Sequence, residues 1–249
     1  MISKSKKYIQ SLTQEQRKTR RRILDISFKL HLSHLGSCFS AIDLIDAVYS
    51  VKKEDEQFVL SNGHAGVALY VILEKYGKIK NPKIFEKLFV HPNRDLNLGI
   101  SVSTGSLGHG LPIALGMALA NRTKNVYCMI SDGECAEGSI WETLRLAVEL
   151  EASNLKVILN ANGWGAYGAI SLPSLFKQLK SFGCQLSTVD GHNINDIIEA
   201  LKKNTANKPL IIFAKTDVSQ LPFLKDQDAH YYVMNEQDYL LALDLLLWH

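Results

Sequence analysis

The sequence predicts an α/β protein: an open, doubly wound, mostly parallel sheet with helices on both faces. Two observations carry this. Strand-like runs at 126–130, 157–159, 185–189 and 210–214 alternate with helix-length stretches at 139–151, 173–182 and 193–203, the order expected of βαβ crossovers. The runs are read as apolar throughout instead of at every second position, as befits strands covered on both faces. At 249 residues, the whole chain, 1–249, is read as one large domain.

The first half supplies further elements. Thr13, followed by Glu15 and Gln16, starts a helix running to about Leu32. Ser40 with Asp43 three residues on is a capping-box pattern, and it predicts a second helix with Ile42, Leu44, Ile45, Val48 and Tyr49 along one side. Gln57–Leu60 is a short strand ending in the turn signal Ser61-Asn62-Gly63. Helices follow over 64–76, closed by Gly77, and over 111–120, where Ala and Gly allow tight packing.

Composition excludes several classes. A formal charge of +3 is too small to argue for nucleic acid. Arg20, Arg21 and Arg22 with Lys18 nearby form the one basic cluster, read as a solvated helix face, the rival reading being a patch for phosphate or a partner chain. No segment approaches the roughly 20 apolar residues that span a bilayer, and the basic start Met1-Ile-Ser-Lys-Ser-Lys-Lys leads into no signal-type apolar stretch. Cys38, Cys128, Cys135 and Cys184 form neither a zinc-like spacing nor a disulfide framework. A cytoplasmic protein is expected.

Ligands of open parallel sheets bind at the carboxyl ends of the strands, so the loops after Ile130, Leu159 and Ala214 are where chemistry is sought. The first is Ser131-Asp132-Gly133-Glu134 and the second Asn160-Ala161-Asn162-Gly163-Trp164. The interval from Asp132 to Asn162 is about one helix and one strand, so on neighbouring strands a carboxylate and a carboxamide oxygen converge. Magnesium takes oxygen ligands and draws only one or two protein side chains when phosphate oxygens complete its shell. Gly133 allows close backbone approach to a phosphate, and the helix starting near Gly138 adds N–H donors. Asp-Gly by itself is a common turn dipeptide; the pairing with Asn162 gives it meaning. No phosphate loop, dinucleotide fingerprint or calcium loop is present.

Asp132-Gly133 with Asn162 resembles the thiamine diphosphate motif, and Asp132-Gly-Glu-Cys-Ala-Glu-Gly138 with Trp141-Glu142 is similar to its transketolase version. Leu60-Ser-Asn-Gly-His64, His91-Pro92, Thr104-Gly-Ser-Leu-Gly-His-Gly110, Ser33-His34-Leu35-Gly36 and Val189-Asp190-Gly191-His192 follow in transketolase order. The similarity covers about residues 14 to 235. It implies a thiamine diphosphate-binding fold of the diphosphate-binding (PP) type. It further implies that Asp132, Asn162 and the carbonyl of Trp164 hold magnesium, with calcium or manganese able to stand in, and that Gly133 and Glu134 meet the diphosphate. His64 and His230 would sit by the diphosphate and the reacting centre, His34 and His91 would hold sugar hydroxyls, and Gly105, Ser106 and Leu107 would surround the aminopyrimidine. Glu137 would lie at a subunit interface. His109 stands where the family has Gln and receives no role, as do His31 and His249. Ser131, Ala161 and Lys215-Thr216-Asp217-Val218 depart from the family pattern, so the loop over the diphosphate is expected to differ.

In the family a second domain supplies the glutamate that protonates the pyrimidine ring. No room remains here for the pyrimidine-binding and C-terminal domains, so a separate partner chain is expected, in an α2β2 heterotetramer acting on a sugar. The implied reaction is transfer of a two-carbon ketol unit. Alternatives are decarboxylation of a 2-oxo acid with carboligation, as in deoxyxylulose phosphate synthase or E1 dehydrogenase chains, and a non-catalytic scaffold of the same fold.

Overall fold

The computed structural model describes residues 8–247; the basic start and His249 lie outside the described residues. Thr13 starts α1 (Gln14–Lys29) as expected, and does so through a capping box: the Gln16 amide donates to Thr13 Oγ1 (3.2 Å), and the Thr13 amide to Gln16 Oε1 (3.1 Å). The next helix, α2 (Leu35–Val51), begins five residues before the expected Ser40. Ser40 is no cap, because its hydroxyl turns back to the Ser37 carbonyl (3.0 Å) inside a continuing helix. His34 makes the start instead, in the left-handed conformation at φ 66°.

The remaining elements are β1 (Gln57–Leu60), α3 (Gly66–Lys75), α4 (Gly110–Ala120), β2 (Val126–Ser131), α5 (Gly138–Glu149), β3 (Leu155–Ala161), the short β4 (Trp164–Gly165) and β5 (Gly168–Ala169), α6 (Leu172–Ser181), β6 (Gln185–Asp190), α7 (Ile194–Leu201), β7 (Leu210–Lys215) and α8 (Glu236–Leu246). The strands form a parallel sheet in the order β1-β2-β3-β7-β6, with β4 and β5 a separate antiparallel pair. Helix α8 was not expected from the sequence, although Asn235 caps it with Asp238 in a second capping box.

Alternate residues of each central strand enter different cores. Phe58, Tyr127, Met129, Ile158 and Ile212 join the core beneath α1, α2, α3 and α7. Val59, Cys128, Ile130, Val157, Leu159 and Phe213 join the other, beneath α4, α5 and α6. Two-sided burial accounts for the unbroken apolar runs. The expectation fails for β6 (Gln-Leu-Ser-Thr-Val-Asp), which lies at the sheet edge and is half exposed. Among the described residues no helix is long and apolar enough to cross a membrane.

The solvated reading of the basic cluster is corrected at Arg20. This side chain is fully buried and grips Asp43 of α2 through Nη1 to Oδ1 (3.1 Å) and Nη2 to Oδ2 (2.6 Å), while its Nε donates to Gln220 Oε1 (2.9 Å). A helix turns about 100° per residue, so three successive arginines cannot share one face: Arg21 is exposed and Arg22 pairs with Glu74 at 2.7 Å. Removing one partner of a buried pair strands the other charge, at a cost of about 3–5 kcal/mol. Asp43→Ala should therefore lower the urea-unfolding free energy by that amount, whereas a loss under about 1 kcal/mol would mean that the pair behaves as a surface pair.

Candidate active site

Pairing of β2 with β3 sets Ser131 opposite Asn160, so the loops carrying Asp132 and Asn162 leave the sheet side by side. The Gly163 amide donates to Asp132 Oδ2 (2.6 Å) and the Gly133 amide to its Oδ1 (3.0 Å). Asn162 Oδ1 accepts from the Trp164 amide at 2.9 Å. A methyl group built on Gly133 would come 3.3 Å from the Gly165 Cα and 3.8 Å from the Trp164 carbonyl oxygen, so the Trp164 carbonyl lies close to the Gly133 backbone beside Asp132. Asp132 is 1% exposed. Burial pushes its carboxyl up to about 7, against the pull of the surrounding amide donors.

A cleft opens over this point, lined by Ser131, Gly133, Asn162, Trp164, Leu107, His64 and His230, among others. Four of the predicted histidines gather there. His34 stands 4.6 Å from His230 and 5.6 Å from His64 between ring centroids, His64 stands 4.6 Å from His230, and His91 lies at the exposed rim, 6.0 Å from His34. The His34 amide donates to the His230 carbonyl (3.0 Å), and Ser37 Oγ meets His230 Nδ1 at 2.9 Å. Gly36 permits this closeness, since a Cβ there would sit 2.8 Å from that of Ala229. His34 Nδ1 is buried without a hydrogen-bond partner among the described residues.

Burial, then the neighbouring His230 and His91, pushes His34 down to about 4. His64 is held well below its ordinary value by burial and then by His230, His34 and His91, and His230 is lowered by burial and by His91. These rings are therefore neutral near pH 7, able to accept or pass a proton without adding a standing charge.

Glu134 has a different place from the one expected. It is fully buried, accepting at Oε1 from Ser61 Oγ (2.6 Å) and the Gly108 amide (2.9 Å) and at Oε2 from the Ser131 amide (3.1 Å). With these donors inside the chain, it ties three loops together instead of facing a diphosphate. Glu137 is exposed, against Gly108 and outside the cleft lining. Leu107 lines the cleft, Gly105 lies where a Cβ would come 3.0 Å from the His91 ring, and Ser106 between them is exposed. Sequence reading missed Ser37, Val218 and Asp226, which also line the cleft. The place of Ser37 directly after the Ser33–Gly36 motif was the available signal for it; Asp226 carries none beyond a positive φ of 47° that only coordinates reveal.

The donor set fits a hard divalent cation shared with a diphosphate. Among the described residues no group of three or more His, Cys, Asp or Glu could hold an ion. An ion here would rest on one carboxylate, one amide and one carbonyl oxygen and complete its shell from outside the chain. The family profile for transketolase, thiamine diphosphate binding domain, matches residues 50–238. The chain belongs to this transketolase family. Transketolase-like protein 2 of Mus musculus is 35% identical over 180 residues, 66% of this chain and 28% of that protein. One of the subunits of the apulose-4-phosphate transketolase of Phocaeicola vulgatus is 29% identical over 234 residues, 84% of this chain and 83% of that protein. A transketolase mutant from Pichia stipitis shares the fold at a TM-score of 0.83 and 24% identity, over 94% of this chain and 40% of the other. The chain spans about a third or less of the length of the transketolase-like relatives it matches.

The clustered histidines give a pH signature. An imidazole held below its ordinary 6.5 binds its proton more weakly in the folded chain than in the unfolded one. The stability it confers is fully present above about 6.5 and is lost as pH falls toward about 4. Urea unfolding at pH 7 and pH 5 should show a loss that shrinks in His34→Asn; an equal loss in both proteins would remove His34 as a cause.

Proposed function

We propose that this chain is the diphosphate-binding subunit of a two-chain transketolase-like enzyme, moving a two-carbon ketol unit from a ketose or its phosphate to an aldehyde. The observation that carries the reading is the meeting of the Asp132 and Asn162–Trp164 loops, tied by the Gly163 amide to Asp132 Oδ2, at a cleft that also holds a cluster of neutral imidazoles. Asp132, Asn162 and Trp164 would hold magnesium. When bound, thiamine diphosphate supplies the electron sink for carbon–carbon cleavage. Ser37 occupies His230 Nδ1, which leaves Nε2 to take or give a proton at the reacting centre. His34 and His91 would orient substrate hydroxyls, and the burial of His34 and His64 would keep water from competing.

The two-chain form is supported by the Phocaeicola vulgatus relative, which is named as one subunit of its enzyme and is matched over most of its length. It is also supported by α4, whose sequence Gly-Leu-Pro-Ile-Ala-Leu-Gly-Met-Ala-Leu-Ala is apolar all round although Ile113 is 41% exposed. A helix apolar on every side calls for cover on every side. Exposed Glu137 lies at the N-cap of α5, beside Gly108, where a partner could reach it. The partner would supply the pyrimidine-protonating glutamate, in an α2β2 assembly. A cytoplasmic setting belongs to the same reading, in keeping with four free thiols.

Calorimetric titration should show magnesium-dependent thiamine diphosphate binding that EDTA abolishes and that Asp132→Ala weakens by at least about 100-fold, more than loss of an outer-shell partner costs. Binding indifferent to both would move the reading to a scaffold role. Given xylulose 5-phosphate and an aldose, the pure chain should show no turnover until the partner chain is added. Robust turnover by the pure chain sinks the two-chain reading, and a response to pyruvate alone points to decarboxylation.

A further inference from the structure

Segment 216–221 follows β7 at the carboxyl edge of the sheet, and its Val218 lines the cleft. It begins at Thr216, whose Oγ1 donates to Asn160 Oδ1 (2.5 Å) and whose amide donates to the Ala161 carbonyl (3.1 Å). The peptide groups of Asp217 are then held from two sides. Its N–H donates to His192 Nε2 at 3.0 Å, and its carbonyl accepts from Gln220 Nε2 at 2.8 Å. Both partners lead to the same buried ion pair: His192 Nδ1 meets Asp43 Oδ2 at 2.9 Å, and Gln220 Oε1 accepts from Arg20 Nε at 2.9 Å.

The donors fix the state of the ring. A backbone N–H can only donate, so His192 Nε2 carries a lone pair, and the neutral ring keeps its proton on Nδ1 and gives it to Asp43. Tyr8 closes the ring edge-on at 5.4 Å, and the Gly191 amide ties the same turn to the Lys215 carbonyl at 2.8 Å.

We infer that His192 is a positioning residue: it transmits the placement of the buried Arg20 and Asp43 pair to the Asp217 backbone, and so sets the loop that carries Val218 along the cleft. Buried ion pairs often add little net stability over apolar packing. Here the pair has a second use, as a fixed anchor between two helices and the loop. The link is a matter of the chain's own geometry; its effect on cofactor rests on the function proposed above.

Two variants of the full chain separate the two arms of the ring. His192→Gln places an oxygen where Nε2 stood and keeps the acceptor for Asp217, whereas His192→Asn keeps only the reach to Asp43. In His192→Asn, hydrogen exchange at the Asp217 amide should quicken by about ten-fold, the worth of one hydrogen bond, while Ile158 in β3 stays protected. His192→Gln should restore most of the protection. Nitrogen NMR of the wild-type ring should show the Nδ1–H tautomer. An Nε2–H tautomer, unchanged Asp217 exchange, equal effects in both variants, or equal acceleration at Ile158 overturns the inference. Magnesium-dependent thiamine diphosphate affinity should follow the same order, weaker in the Asn variant than in the Gln variant; the reverse order, or equal affinities, overturns the effect on cofactor. If the wild type binds no thiamine diphosphate, the functional reading falls, and the exchange and tautomer results still decide the role of His192.

Discussion

The site depends first on the parallel pairing of β2 and β3. Their register places Ser131 opposite Asn160, and because the strands run the same way, both chains leave the sheet at one edge and turn into adjacent loops. A shift of one residue would exchange which side chains face each core, and the close packing of the present set in both cores opposes it. The packing that fixes the fold thus also fixes, to within one residue, which loops leave the sheet side by side. β7 extends the same register on the far side, with Ala161 opposite Lys215.

Above that edge, polar groups are buried and satisfied by backbone more than by one another. Asp132 is met by the Gly133 and Gly163 amides, and Glu134 by Ser61, Gly108 and Ser131. Such contacts fix positions at little entropic cost, since the backbone is already ordered. At the cleft, His34 holds a left-handed backbone that a non-glycine residue adopts only under constraint, and the start of α2 and the His230 carbonyl supply that constraint. The result is a cleft whose carboxylate is hard to ionise and whose imidazoles are hard to protonate. Both properties follow from desolvation.

Much of this was legible in the sequence because it depends on spacing along the chain. The strand runs, the Asp132 to Asn162 interval and the helix start at Thr13 are local or periodic signals, and the structure keeps them within a residue or two. What was not legible depends on direction in space. The arginine run was read as one solvated face, but a residue count does not say which member turns inward. Ser40 and Asp43 matched a capping pattern, yet the left-handed turn at His34 starts the helix earlier and frees Asp43 for Arg20. Glu134 was placed with the diphosphate by the family resemblance, although a 3-10 turn over Gly133–Ala136 points it into the protein. Ser37 follows directly on the Ser33–Gly36 motif and Val218 ends the segment 215–218, but nothing in the chain says that either side chain faces the cleft.

The strand order has a consequence for biosynthesis. β7 lies between β3 and β6 in the sheet but follows both in the chain. While the chain is being made, β3 has a bare edge and β6 has no neighbour until residues 210–215 leave the ribosome. Both must wait with unpaired backbone groups, and β3 is buried along its whole length in the finished sheet. Open edges of this kind are where nascent chains associate wrongly. The same insertion that places the 216–221 loop beside the site makes the last parallel strand the one whose arrival commits the sheet, and until it arrives the chain has most need of a chaperone.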